Sequence, residues 1–338
     1  MNEESAVDVL VMGAGAVGCY IGGSLAAAGV RVGFVGRPRV IGALDSRGLT
    51  LTNIEGIRHH VPPALIRVYE NVPSGVRPAL VLLTVKSGGT ADAAVELAAK
   101  LPAGTTVLSM QNGISNADVA AEAAPRLNVL PAMVPYNIAE LGPGAFHRGT
   151  VGRLAAKDDP ALRRWIAVFD RAGVPIDLHA DLLPVQWGKL LMNLNNPVNA
   201  LSGLPLREEL LQRDYRRCLA ALMEEALAAL DKACIEPAQL AAVPAHKLPR
   251  ILRLPTPLFR LVAARMLRID AKARSSMADD LALGRRTEID ALCGEVVRLA
   301  HKHGGEAPLN AKMVELLEAW PERTARWPAK QLAAELRL

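Results

Sequence analysis

The segment from Val7 to Val35 constrains this chain more than any other. Residues 7–12 read as a short apolar strand, and Gly13-Ala14-Gly15-Ala16-Val17-Gly18 follows at once. Residues 19–28 then read as a helix of small residues closed by Gly29, and residues 31–35 as a second strand. A glycine pattern alone is weak evidence. One that joins a strand to a helix and leads into a second strand within about 30 residues points to dinucleotide binding. Gly13 permits the tight turn, Gly15 lets backbone approach a pyrophosphate, and Gly18 lets the helix lie close on the sheet. The free N–H groups and the dipole of the first helical turn favour the anion. Gly13, Ala14, Gly15, Ala16, Val17 and Gly18 are therefore expected to form a cofactor loop.

The end of the second strand selects the cofactor. An NAD site places Asp or Glu there to accept from the ribose 2′-OH, whereas this chain has Gly36-Arg37, followed by Pro38 and Arg39. An arginine suits the 2′-phosphate of NADP through a charge-assisted pair worth about 1.5–3 kcal/mol. Further near-continuous apolar runs at residues 79–85, 106–110 and 129–134 are what a parallel sheet covered on both faces requires. Ligands bind beyond the carboxyl ends of such strands, where Lys86 and Asn112 fall. Lys86 is expected to reach cofactor phosphate or ribose, and Asn112 the ribose or a substrate. Residues 134–175 read as further strand and hairpin material.

The 338 residues, 51% hydrophobic and 22% charged, suit two domains with a core in each. Much of the net charge of +5 sits between Lys247 and Arg274, but no nucleic-acid-binding module accompanies it. The basic segment 258–269 reads as a helix packed on its own domain with its arginines outward. Cys19, Cys218, Cys234 and Cys293 lack Cys-x-x-Cys spacing, and the seven histidines lack ligand spacing, so no metal site is expected. No apolar run approaches the length of a membrane span, and the acidic start is unlike a secretory signal; a cytoplasmic protein with reduced thiols is expected.

From Asp181 the pattern changes to helices: residues 206–235 as one long amphipathic helix, then 271–283, 289–303 and 309–320. The expected division is an NADP-binding domain at 1–179 and a helical substrate and catalytic domain at 180–338. The second opens on Trp187-Gly-Lys-Leu-Leu-Met-Asn-Leu-Asn-Asn-Pro-Val-Asn-Ala200. On one helix Lys189, Asn193 and Asn196 share a face, and Asn195 and Asn199 point elsewhere. Alone, the stretch fits a surface lysine beside capping asparagines more readily than a site. With Arg37 and the strand-end residues it becomes a candidate for binding a small polar molecule.

In order and spacing, these pieces resemble the ketopantoate reductase (2-dehydropantoate 2-reductase) family over nearly the whole chain. They are Gly13-x-Gly-x-x-Gly18, Arg37, Thr84-Val-Lys86, Gln111-Asn-Gly113, Trp187-x-Lys-Leu-x-x-Asn193, Asn196-Pro, Ser275-Ser-Met-x-x-Asp280 and Thr287-Glu-Ile-Asp290. The resemblance implies an α/β Rossmann-type doubly wound parallel sheet plus an all-α C-terminal domain like that of 6-phosphogluconate dehydrogenase. It implies NADPH-dependent reduction of ketopantoate to pantoate in pantothenate and coenzyme A biosynthesis, on a small 2-keto acid with no nucleic-acid or membrane partner, and it leaves a homodimer open. Lys189 is then the general acid that protonates the carbonyl oxygen as hydride arrives, its pKa lowered by burial and neighbouring cations. Glu288 holds the substrate and Lys189, and Asn112, Asn193, Asn196 and Ser276 orient the substrate.

Ser276 and Glu288 would stand about 18 Å apart on one straight helix. A shared site therefore predicts a break near Gly284, with Ser276 at its own helix start and Thr287 near an N-cap. The chain departs from the family pattern in three places: Asn196 lies seven residues from Lys189 rather than eight, Ala273 stands where asparagine is frequent, and Cys293-Gly294 replaces Asn-Gly. Two rival readings are a same-fold reductase of another 2-keto acid or a 3-hydroxy acid, and a non-catalytic NADP-binding regulatory protein. The second has no use for Lys189, Asn193, Ser276 and Glu288 together.

Overall fold

Along the first strand, alternate side chains enter two different cores. In the computed structural model, which describes residues 7–240, 242–264, 267, 273–320 and 326–338, Val9 and Val11 of β1 (Val9–Met12) pack with Ile21, Leu25 and Phe34. Leu10 and Met12 pack with Ala93, Leu97 and Ala120 on the opposite face. Both faces of the sheet are covered, which is why its strands read as unbroken apolar runs.

The remaining strands are β2 (Val32–Val35), β3 (Leu49–Asn53), β4 (Arg58–Val61), β5 (Ile66–Tyr69), β6 (Leu80–Leu83), β7 (Thr106–Ser109), β8 (Asn128–Met133), β9 (Ile138–Gly142), β10 (Ala145–Arg148), β11 (Leu154–Lys157) and β12 (Ile176–His179). The main sheet runs β12-β11-β8-β7-β6-β1-β2-β5. From β5 to β8 all pairs are parallel, and β11 joins β8 antiparallel. The six parallel strands have the order of a doubly wound dinucleotide-binding sheet, and the direction of winding reverses between β1 and β6.

The hairpin of β9 and β10 lies in the strand material expected at 134–175, but its joining with β3 and β4 in a second sheet, β4-β3-β10-β9, is not foreseen from the hydrophobic pattern. That sheet explains the composition of the helix Ala16–Ala27. A Cβ on Gly22 would come within 2.6 Å of Val11 in the main sheet, and one on Gly23 within 3.0 Å of Leu49 and Leu51 in the second. The helix lies between two sheets, so it is built of small and apolar residues all round. Buried Arg148 of β10 places its guanidinium 4.8 Å from the Tyr136 ring and 5.9 Å from the Tyr20 ring, and bonds Glu55.

The chain divides into two units, Met1–Leu182 and Leu183–Leu338. The second is helical, but its helices are shorter than the periodicity suggests. Residues 206–235 form two helices, Leu206–Leu210 and Arg213–Lys232. Buried Arg216 makes that break tenable: its guanidinium donates to the Leu210 carbonyl at 2.8 Å and to those of Leu252 and Leu254. The expected helix at 289–303 is a π-helical turn, Asp290–Gly294, running into Glu295–Lys302. The expected helix at 271–283 is described as Ser276–Ala282, and 309–320 as Pro308–Glu318. The basic segment begins as the expected helix, Thr256–Val262, with Phe259 buried and Arg260 exposed; residues 265, 266 and 268–272 lie outside the described residues, as do 1–6.

Candidate active site

In the first unit the predicted cofactor residues follow four adjacent strands. The glycine loop follows β1, Arg37 follows β2, Lys86 follows β6 and Asn112 follows β7. Gly13 has φ +111°, and a Cβ there would stand 2.6 Å from the Val85 amide nitrogen. The turn is closed by Gly13 and Ala14 N–H groups donating to the Val35 carbonyl, at 3.0 and 2.9 Å. A Cβ on Gly18 would collide with the Gly13 carbonyl and stand 2.5 Å from the Thr84 hydroxyl. That hydroxyl donates to the Gly13 carbonyl at 2.7 Å and locks the loop to the end of β6. Gly15 differs from both: it is exposed, and a Cβ there would meet nothing. The fold does not require Gly15 to be glycine, but a pyrophosphate approaching the backbone at the helix start does. With Ala16, Val17 and Gly18 opening the helix, the loop fits a dinucleotide.

Gly36 is needed because Ala14 passes it, 2.6 Å from where a Cβ would stand. Arg37 then begins the helix Pro38–Arg47, exposed and without an ion pair among the described residues, while Arg39 is engaged with Glu140 at 3.1 Å. Of the two arginines, Arg37 is the one available to a 2′-phosphate. Lys86 is exposed and starts the turn Ser87–Gly89. Asn112 is half-buried, and its carbonyl accepts from Asn116 Nδ2 at 2.6 Å. Asn116 also donates to the Ser87 hydroxyl and accepts from Thr90, and Gln111 bonds both Thr90 and Ser109. This buried network ties the Lys86 turn to the Asn112 turn. Nothing in the sequence marks Thr90 or Asn116 as more than ordinary helix-start residues.

In the second unit the expected single face is divided. Lys189 and Asn193 share the helix Leu183–Asn193, but Asn196 belongs to the next, Asn195–Ser202. Pro197 accounts for the break: it has no N–H for the Asn193 carbonyl, and its ring would crowd that carbonyl in a continuous helix. Gly188 allows the chain at Ala238 and Leu240 to pass against the first helix, since a Cβ there would strike the Ala238 carbonyl. Lys189 is half-buried, and desolvation pulls its ammonium from 10.5 down to about 8. Neighbouring cations have no part in that shift. Among the described residues no carboxylate pairs with Lys189, so the expected grip of Glu288 on it is not made. A half-buried, unpaired ammonium whose pKa is pulled toward neutrality is a competent proton donor and a costly structural group.

Asn195 and Asn199, read as pointing elsewhere, both turn to Glu209. Asn199 is fully buried, donates to Glu209 at 2.8 Å and accepts from the Ser275 N–H at 2.9 Å. Ser275, not Ser276, caps the helix Ser276–Ala282, its hydroxyl accepting from the Ala278 N–H. Ser276 is the first helical residue and is exposed. The helix stops at the expected place. Gly284 has φ +61°, its N–H donates to Leu281, and the Arg285 N–H reaches back to Asp280 at 2.8 Å, a Schellman ending. Ser276 and Glu288 therefore do not share a straight helix. Thr287 is not the next cap: the π-helical turn starts at Asp290 with Ile289 before it, and half-buried Glu288 sits in the connecting segment.

Sheet order, glycine loop and free Arg37 define a Rossmann-type dinucleotide-binding protein with a helical second unit. The profile described as ketopantoate reductase PanE/ApbA matches residues 9–158, and that described as ketopantoate reductase PanE/ApbA C terminal matches residues 181–320. The chain belongs to the ketopantoate reductase family. A 2-dehydropantoate 2-reductase of Halobacterium salinarum is 30% identical over 328 residues, covering 91% of this chain and 97% of that protein. The crystal structure of a PanE/ApbA family ketopantoate reductase from Ralstonia eutropha JMP134 is 28% identical, with a TM-score of 0.77, covering 98% of this chain and 99% of that one. A D-mandelate dehydrogenase structure with NADH and anilino(oxo)acetate, 19% identical, shares the fold with a TM-score of 0.75, covering 93% of this chain and 98% of that one.

Proposed function

We infer that this chain is an NADPH-dependent 2-dehydropantoate 2-reductase, with Lys189 as the proton donor. The observation that carries the assignment of Lys189 is its unpaired, half-buried ammonium, lowered to about 8 by burial alone, in a family that reduces a keto acid. Bound NADPH supplies the hydride. The glycine loop and Arg37 would hold its pyrophosphate and 2′-phosphate, Lys86 would meet its phosphate or ribose, and Asn112 its ribose or the substrate. Hydride addition turns the substrate carbonyl into an alkoxide. The Lys189 ammonium stabilises that charge and then gives its proton to the oxygen. Asn193 and Asn196 offer amide N–H groups to the substrate, Ser276 a hydroxyl to its carboxylate, and Glu288 a carboxylate that accepts from its hydroxyl.

Substrate choice is tested by following NADPH oxidation against a panel of 2-keto acids. Ketopantoate is expected to give the highest kcat/KM, and an unbranched or aromatic 2-keto acid outperforming it would overturn the substrate assignment. Among the described residues no helix is long and apolar enough to cross a membrane. Buried Cys19, Cys218 and Cys293 are free thiols, as is exposed Cys234, which supports a cytoplasmic enzyme. A dimer in solution is checked by sedimentation.

A further inference from the structure

Glu209 takes no part in the chemistry above. It lies in the helix Leu206–Leu210 with no exposed surface, and no arginine or lysine pairs with it among the described residues. Its Oε2 accepts from Asn199 Nδ2 at 2.8 Å and from Asn195 Nδ2 at 3.3 Å. Its Oε1 is buried without a hydrogen-bond partner among the described residues, and so is Asn195 Oδ1. Two acceptors are thus orphaned in a carboxyl and an amide that already share one hydrogen bond.

A single proton satisfies both. In the neutral acid, Oε2 is the carbonyl oxygen, saturated by two amide N–H groups, and the Oε1 hydroxyl donates to Asn195 Oδ1. Ionised, the group would be a buried charge with two neutral donors, and Asn195 Oδ1 would stay unsatisfied. Burial pushes the Glu209 carboxyl from 4.5 up to about 8 against the pull of both amides. The titratable groups coupled to it, Tyr215 and Cys218 of the helix Arg213–Lys232, are themselves raised to about 12 by burial. Both are neutral around pH 8 and supply no compensating cation.

The acid anchors a chain of contacts. Asn199 holds the Ser275 N–H at 2.9 Å, and the Ser275 hydroxyl donates to the Asn196 carbonyl at 3.3 Å. These bonds fix the start of the helix Ser276–Ala282 against the helix Asn195–Ser202. We propose that Glu209 is a neutral carboxylic acid, its proton shared with Asn195, that positions the two segments presenting Asn196 and Ser276 to the keto acid. The positioning role rests on the substrate site proposed above; the protonation of Glu209 does not.

The test compares Glu209→Gln, whose amide N–H replaces the acid O–H, with Glu209→Ala. In the infrared spectrum of the free enzyme at neutral pH, wild type minus E209Q is expected to show a protonated-carboxyl C=O band. That band should fade as pH rises through about 8. E209Q should keep KM for ketopantoate within about twofold. E209A should raise it about tenfold, with NADPH affinity unchanged. Absence of the band, or an E209Q enzyme as impaired as E209A, overturns the proposal. Should the wild type reduce no 2-keto acid, the functional reading fails, while the band still reports the proton. Exchange of the Ser275 amide then reads the positioning: faster in E209A and unchanged in E209Q supports it, and equal rates in all three overturn it. If E209A does not fold, the band and the E209Q kinetics decide.

Discussion

The two halves of this molecule build their sites from different materials. In the first unit the site is mostly backbone: a loop whose glycines are required at Gly13 and Gly18 by neighbouring atoms and at Gly15 by none, with Arg37 free beside it. In the second the site is side chains on interrupted helices: Lys189 before one break, Asn196 after it, and Ser276 and Glu288 on either side of another. The first unit leaves space and charge for a ligand at its surface. The second pays with stability, holding a half-buried ammonium and a fully buried carboxyl without a countercharge among the described residues. A cofactor site can thus be built from generic strand-end geometry, whereas proton transfer needs a group held away from its ordinary ionisation.

The largest effect expected from this difference is confined to the second unit. Lys189→Ala should lower kcat for ketopantoate by about 10²–10⁴-fold. NADPH affinity, measured by fluorescence titration, should stay unchanged. Near-normal turnover would remove Lys189 from the chemistry. In the first unit the glycines should separate cleanly. Gly13→Ala should lower the melting temperature as well as cofactor binding, because its φ of +111° and the nearby Val85 nitrogen leave a side chain no room. Gly15→Ala should fold with an unchanged melting temperature and still bind NADPH at least about tenfold more weakly. Equal thermal losses for the two variants would break the distinction between a glycine the fold needs and one the ligand needs.

These materials also decide what a reader of the sequence can see. The glycine loop, Arg37 and the strand-end residues are legible because each lies within a few residues of a strand whose pattern is plain. The Gly284 break is legible for a similar reason: a glycine in a helical pattern and a spacing argument point to the same residue. The hairpin of β9 and β10 falls within the strand material expected at 134–175, but its sheet partners are hidden: β4 is largely exposed, and β3 pairs with β10 across almost a hundred residues. Pro197 stands in plain sight, but reading Lys189, Asn193 and Asn196 on one face ignores the carbonyl it orphans. Glu209 gives no local signal at all. In Arg207-Glu208-Glu209-Leu210 it looks like any exposed helix start, and only the fold turns it inward onto Asn195 and Asn199.

Arg37 offers a smaller and sharper test of the first unit. Arg37→Ala should reduce the preference for NADPH over NADH by about one to two decades, the worth of one charge-assisted pair, with NADH affinity little changed. Equal weakening of both cofactors would mean that Arg37 holds the loop and not the phosphate.

The smallest effect is thermal, and its sign depends on pH. A lysine lowered to about 8 in the folded chain binds fewer protons than the unfolded chain between about 8 and 10.5. Folding stability from this group therefore rises with pH across that window, and the penalty is fully present below it. Lys189→Met keeps the apolar stem and removes the charge. It should melt about 2–4 °C above wild type at neutral pH, converge with it toward pH 10, and lose turnover of ketopantoate as Lys189→Ala does. Over the same range, wild-type turnover should fall above about pH 8 as Lys189 loses the proton it must donate. Stability and activity governed by one lysine thus move in opposite directions with pH. If Lys189→Met were less stable than wild type at every pH, the ammonium would have a partner that holds it in the fold, and its role as an unpaired proton donor would have to be abandoned.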